Sequence, residues 1–272
     1  MRLTPALAFL LACLLALTLV ACGSDDDEGT SDQPQVFEVE ATDEGLTAPE
    51  TVESGAIEIR FSNAGEQPHG GMVVPLADGR SPEEVEQAGE AWGDGGGELP
   101  EWLRFLGGVG SVEPGGAGTA IVELPPGEYA LFDLEGNANA AFTVEGDGGA
   151  DLPETDGRIE AVEYSFNSED LQTGSQSVLF ENAGEEPHHL VGMPLLPGKT
   201  EADVKKFIET ERGQPPVDES KAFELALLSG GASAVVDVRL EAGDYAFLCF
   251  VPDRAGGPPH VAKGMAVVTT VE

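Results

Sequence analysis

The sequence predicts an all-β protein made of two tandem β-sandwiches, each with a short helical insertion. Three observations predict it. The first is an internal repeat: Phe61-Ser-Asn63-Ala-Gly65-Glu-Gln-Pro68-His69 recurs as Phe180-Glu-Asn182-Ala-Gly184-Glu-Glu-Pro187-His188, 119 positions later. The second is a set of short runs rich in β-branched residues and bounded by Gly or Pro, over residues 56–61, 119–124, 235–240 and 265–271. The third is a legible helix start between strands in each copy. Ser81 with Pro82 and Glu84, and Thr200 with Asp203, supply an N-cap residue and an acid in the first turn.

In chain order, residues 1–21 hold one basic residue, Arg2, and a long apolar run closed by Leu19-Val20-Ala21-Cys22. This pattern is a secretory signal and resembles a bacterial lipoprotein signal, which implies cleavage before Cys22 and acylation of its thiol. The other reading is an uncleaved anchor, for which the apolar run is short. Residues 22–35 are polar and acidic without apolar period, and are expected to form a disordered tether. The first sandwich is expected over 36–146, a linker over 147–156, and the second sandwich over 157–272. The offset that aligns Ser81 with Thr200 is again 119, whereas Leu124-Pro-Pro-Gly127-Glu-Tyr129 and Leu240-Glu-Ala-Gly243-Asp-Tyr245 are 116 apart. The insertion between them absorbs the difference. In the second copy Val204, Phe207 and Ile208 follow at helical spacing, with Gly213 as the expected stop.

The formal charge of the chain is −37, and loss of residues 1–21 makes it −38 over 251 residues. Such a surface repels nucleic acid and anionic headgroups, so nucleic-acid binding is excluded and membrane attachment has to come from acyl chains on Cys22. A salt-adapted or solubilising surface and a surface that steers cationic partners both fit the charge.

Cys13 leaves with the signal and Cys22 carries lipid, so Cys249 remains as a lone thiol in an extracytoplasmic protein. His260 and Met265 follow it closely. Cys, His and Met are soft or borderline donors; with His188 they compose a His2Cys set with a weak axial Met, the set that holds electron-transfer copper. His188 lies at the end of an expected strand. Neighbouring residues on a strand face opposite sides, so only one of His188 and His189 is expected to face the site, and alignment with His69 favours His188. Met193 reads better as core than as a Cu(I) ligand.

The strand ending in Asn-x-Gly before Pro-His, and the Gly-x-Tyr strand leading to Cys, His and Met, resemble the cupredoxins, the plastocyanin and azurin type of Greek-key sandwich. The resemblance covers nearly all of the mature chain. It implies that His188, Cys249, His260 and Met265 bind one type 1 copper ion at one pole of the second sandwich. The sequence departs from that family in placing ten residues between Cys249 and His260 where few are usual. A blander reading makes Cys249 a buried strand residue, Met265 a core filler and His260 a loop residue.

The 116 offset sets Asp133 where Cys249 stands, and no His or Met follows it. The first copy is therefore expected to be a degenerate, structural or partner-binding module, with His69 a surface or capping residue. Trp92 and Trp102 in its insertion offer either a contact face or core. Two functions follow as expectations. One is a non-enzymatic, lipid-anchored electron-transfer or copper-handling protein with a redox or copper-donor protein partner. The other is a metal-free extracytoplasmic binding or envelope module. Four His are too few for a multicopper oxidase, and neither Gly-x-Ser-x-Gly nor His-Glu-x-x-His occurs.

Overall fold

The computed structural model describes residues 33–93, 96–136 and 138–272. The expected signal, Cys13, the expected lipidation site Cys22 and most of the expected tether lie outside the described residues. In the first half the elements are β1 (Gln35–Thr42), β2 (Gly45–Thr47), β3 (Thr51–Glu53), β4 (Gly55–Asn63), β5 (His69–Pro75), α1 (Pro82–Gly93), β6 (Gly108–Val112), β7 (Ala117–Leu124), β8 (Gly127–Asp133) and β9 (Asn139–Glu145). The second half has β10 (Gly157–Val162), β11 (Ser165–Glu169), β12 (Gly174–Asn182), β13 (His188–Pro194), α2 (Glu201–Thr210), β14 (Phe223–Leu228), β15 (Ser233–Leu240), β16 (Gly243–Leu248) and β17 (Ala266–Val271). The all-β class with one helix inserted in each half is therefore the observed one.

Strand periodicity explains the layers. Along β12, Gln176, Val178, Phe180 and Asn182 are buried while the residues between them are not, so one face packs inward. β1 runs parallel to β4, setting Val39 beside Phe61, and β10 runs parallel to β12, setting Ile159 beside Phe180. One sheet has the order β11-β10-β12-β15-β7-β4-β1-β2, and the other β17-β16-β13-β14-β6-β5-β8-β9-β3. Their facing sides make the main core, which includes Phe37, Phe61, Phe180 and Phe247.

Both sheets run through the junction of the halves. Ala120 of β7 pairs with Val236 of β15, and Val109 of β6 pairs with Leu225 of β14. Each pair joins two positions related by the 116 offset, so the halves meet edge to edge about a pseudo-two-fold axis. The strand edges that each half would otherwise expose are covered by the other. The segment expected as a linker is also held: Ala56 N–H donates to Ala150 O (2.7 Å) and Ser54 Oγ to Gly148 O (2.6 Å).

Both helix starts match their expected chemistry. Ser81 N–H donates to Glu84 Oε2 (3.0 Å) and Thr200 N–H to Asp203 Oδ2 (2.9 Å). The expected stop of α2 differs. The helix ends at Thr210, and Glu211, not Gly213, takes the left-handed conformation (φ 49°), its N–H donating to Phe207 O.

Candidate metal centre

The Asn-x-Gly motif builds the entrance to the site. Asn182, fully buried, donates through Nδ2 to Glu186 O (2.7 Å) and Leu228 O (2.8 Å) and accepts Gly184 N–H at Oδ1 (2.9 Å). Its side chain thus satisfies the backbone groups of a tight turn. A Cβ at Gly184 would lie 2.5 Å from Glu163 Oε1, the atom that accepts Glu185 N–H, so a larger residue there would displace the Glu163 carboxylate from that bond. The turn delivers His188 as the first residue of β13, not at the end of the preceding strand as the sequence suggested. A register shift between His188 and Leu190 follows, and His188 is buried with no exposed surface.

Cys249 follows β16, and its ten-residue separation from His260 is closed by the backbone. His260 N–H donates to Val251 O (2.9 Å), Val261 N–H to Cys249 O (2.7 Å), Met265 N–H to His260 O (3.0 Å), and Cys249 N–H to Met265 O (3.4 Å). A short 3₁₀ turn over His260–Lys263 ends at Gly264 (φ 104°), a backbone conformation that glycine adopts at little cost. The span is thereby a returned loop with His260 beside Cys249.

His188, Cys249 and His260 converge. His188 Nδ1 is 3.1 Å from His260 Nδ1, Cys249 Sγ is 3.5 Å from His260 Nδ1, and Cys249 Sγ is 3.9 Å from His188 Nδ1. A triangle with those sides has a centre about 2 Å from each corner, close to the bond lengths of imidazole and thiolate to a metal. All three side chains are buried, and so is Met265, which shares the main core with Cys249.

Charge and tautomer follow from the surroundings. Burial pushes His188 down to about 4, with nearby His260 adding to the effect. Burial pushes the Cys249 thiol up to about 11. It lowers His260 as well, against the pull of Asp253. Asp253 Oδ1 lies 3.0 Å from His260 Nε2, which places the His260 proton on Nε2 and leaves the Nδ1 lone pair facing the other donors. Asp253 also accepts Tyr164 O–H (3.0 Å) and pairs with Lys263. Burial works to raise its carboxyl, but the Lys263 and Tyr164 bonds outweigh this and hold it below the ordinary carboxylate range. His188 Nε2 is buried without a hydrogen-bond partner among the described residues. In the neutral metal-free pair, the His188 proton is therefore satisfied on Nδ1, facing His260 Nδ1.

The alternative ligand His189 faces away. Its Nε2 accepts Phe250 N–H (2.8 Å), its Nδ1 lies 3.5 Å from Glu224, and its ring meets the Phe250 ring edge-on. Met193 packs with Val204, Ala246 and Val261, in agreement with its reading as core.

His69 does not match its expectation of a surface or capping residue. It is buried, and its Nδ1 lies 2.7 Å from Asp133 Oδ2. Asp133 also accepts Gly70 N–H (3.2 Å). Sequence reasoning set Asp133 against Cys249 without joining it to His69, although the two offsets together were sufficient to do so. It also missed Asp253, Tyr164 and Lys263 around His260, which belong to no motif.

No protein-family model matches the chain, and no curated protein matches it. Among solved structures, the chain is similar to a dithionite-reduced auracyanin from the photosynthetic bacterium Roseiflexus castenholzii, with 22% identity, 42% of this chain and 94% of that one covered, and a TM-score of 0.28. It is also similar to a copper-containing nitrite reductase from Thermus scotoductus SA-01, with 15% identity, 88% and 62% covered, and a TM-score of 0.25. At these scores the likeness carries no weight for function; the chain's own donors do.

Proposed function

We propose that the second half is a cupredoxin-like centre in which His188, Cys249 and His260, together with the buried Met265, would hold one copper ion for electron transfer or copper handling. The observation that carries this reading is the buried triangle of two imidazole nitrogens and one sulphur, a donor set suited to copper. Bound copper would supply a one-electron redox couple. Asp253 keeps His260 Nδ1 directed at the site, and burial excludes water from all three donors. Because burial holds the thiol protonated, uptake of a metal by Cys249 releases a proton. His188 must then carry its proton on the unpartnered Nε2, which weakens the site relative to one with a second acceptor.

The same reading makes the two halves a tandem duplication whose first copy has lost its metal set. It places the protein outside the cytoplasm, held to the membrane by lipid on Cys22, with a redox or copper-donor protein as partner. A second reading, a metal-free extracytoplasmic module, draws on the His188–His260 separation of 3.1 Å, a satisfactory hydrogen bond without any metal.

The test is copper(II) titration of the chain from Gly23 onward. One equivalent bound with an intense visible thiolate-to-copper band, lost in Cys249→Ser, is the expected result. Uptake without the band would leave a Cu(I) carrier, and absence of uptake would leave the metal-free module.

A further inference from the structure

We propose that the first half braces the candidate metal centre of the second, and that Trp92 is a positioning residue for His260. This rests on the reading of His188, Cys249 and His260 as a metal site. The span 250–259 is long, and few backbone bonds of its own hold it: His260 N–H to Val251 O and Val261 N–H to Cys249 O at its ends, and one turn in its middle, where Gly256 N–H donates to Asp253 O (2.8 Å). That middle turn is also fastened from outside. Trp92 Nε1–H donates to Asp253 O (2.7 Å), and Leu99 N–H donates to Arg254 O (2.6 Å). The Arg254 guanidinium returns a bond to Pro100 O (3.1 Å), and Arg254 N–H donates to Glu186 Oε2 (2.6 Å), two residues before His188. Three of these four bonds come from the insertion of the first half.

Trp92 itself is held rigidly. It is 4% exposed, stacks on Phe105 at 5.8 Å, and belongs to a core cluster with Val85, Leu99 and Leu103 against which Val251 of the loop packs. The chain of contact is direct: the Trp92 indole fixes the Asp253 backbone, and the Asp253 carboxylate fixes His260 Nε2. A residue with no place among the ligands thus sets the orientation of one of them. The half that lacks the donor set supplies the wall on which the donor loop of the other half rests.

The experiment compares the full chain with Trp92→Phe, which keeps an aromatic ring against Phe105 and removes only the N–H donor. Trp102→Phe is the control, since the Arg80 guanidinium lies over the Trp102 ring, and among the described residues Trp102 makes no hydrogen bond to the loop. In the metal-free protein, amide hydrogen exchange at Leu99 and His260 should quicken roughly tenfold in Trp92→Phe and stay unchanged in Trp102→Phe. In the copper(II)-loaded protein, the energy and intensity of the thiolate band should shift in Trp92→Phe alone. Unchanged exchange and an unchanged band in Trp92→Phe would overturn the proposal. A wild-type chain without the band would instead sink the metal reading, while the exchange measurement would still decide whether Trp92 braces the loop.

Discussion

Asp133 and His69 face each other at 2.7 Å in the first half, at the positions that Cys249 and His188 occupy in the second at 3.9 Å. A pole of the fold that could receive a metal is closed in one half by an acid–imidazole pair. Burial works to lower His69, but the bonds and charges of Asp133 and Asp43 outweigh it and raise its pKa above the ordinary 6.5. A group whose folded pKa is raised stabilises fully below its unfolded pKa and loses that contribution as pH rises through the folded one. Asp133→Asn should therefore lower the melting temperature clearly at about pH 5.5 and much less at about pH 8. Thermal melts across that range decide it; an equal loss at both ends would show that His69 is neutral in the pair.

His188, His189 and His69 separate by role. His188→Ala should abolish or badly distort copper uptake by the full chain, because it removes one corner of the donor triangle. His189→Ala and His69→Ala should keep the metal stoichiometry, since His189 holds Phe250 N–H and His69 holds Asp133. Metal analysis beside the visible spectrum reads all three. A changed spectrum in His69→Ala would mean that the halves share a site.

Shared sheets predict shared unfolding. With Ala120 on Val236 and Val109 on Leu225, the halves should melt in one calorimetric transition in which the calorimetric and van't Hoff enthalpies agree. Leu228 is fully buried, faces His188 across the sheet, and bridges to Leu106 of the other half. Leu228→Ala should cost about 2–5 kcal/mol and lower that single transition as a whole. Two resolved transitions, one of them unaffected by the substitution, would show that the halves fold independently.

Cys22→Ser should release the protein from membranes or block its processing, because a charge near −38 provides no electrostatic substitute for lipid. Membrane fractionation with mass determination of the N-terminus reads the outcome. Firm membrane association of a cleaved, unacylated variant would point to another anchor.

The strands were legible because a half-buried strand must alternate its apolar residues, and the 119-residue repeat carried the same alternation twice. The candidate donors were legible as residue types, and the turn chemistry before His188, led by Asn182 and Gly184, is local. The sequence by itself therefore determined the all-β class and the helix starts, and it singled out His188 or His189, Cys249, His260 and Met265 as candidate donors. Tertiary structure alone decided the rest. That His188 rather than His189 faces inward depends on the register shift at the start of β13, and the closing of the long loop depends on backbone bonds between residues far apart in sequence. The Asp253 contact to His260, the Trp92 contact to Asp253 and the pairing of Asp133 with His69 join residues that no local pattern relates. Such bonds arise only where two sheets bring distant chain segments within about 3 Å of each other, a condition set by packing and not by spacing along the chain.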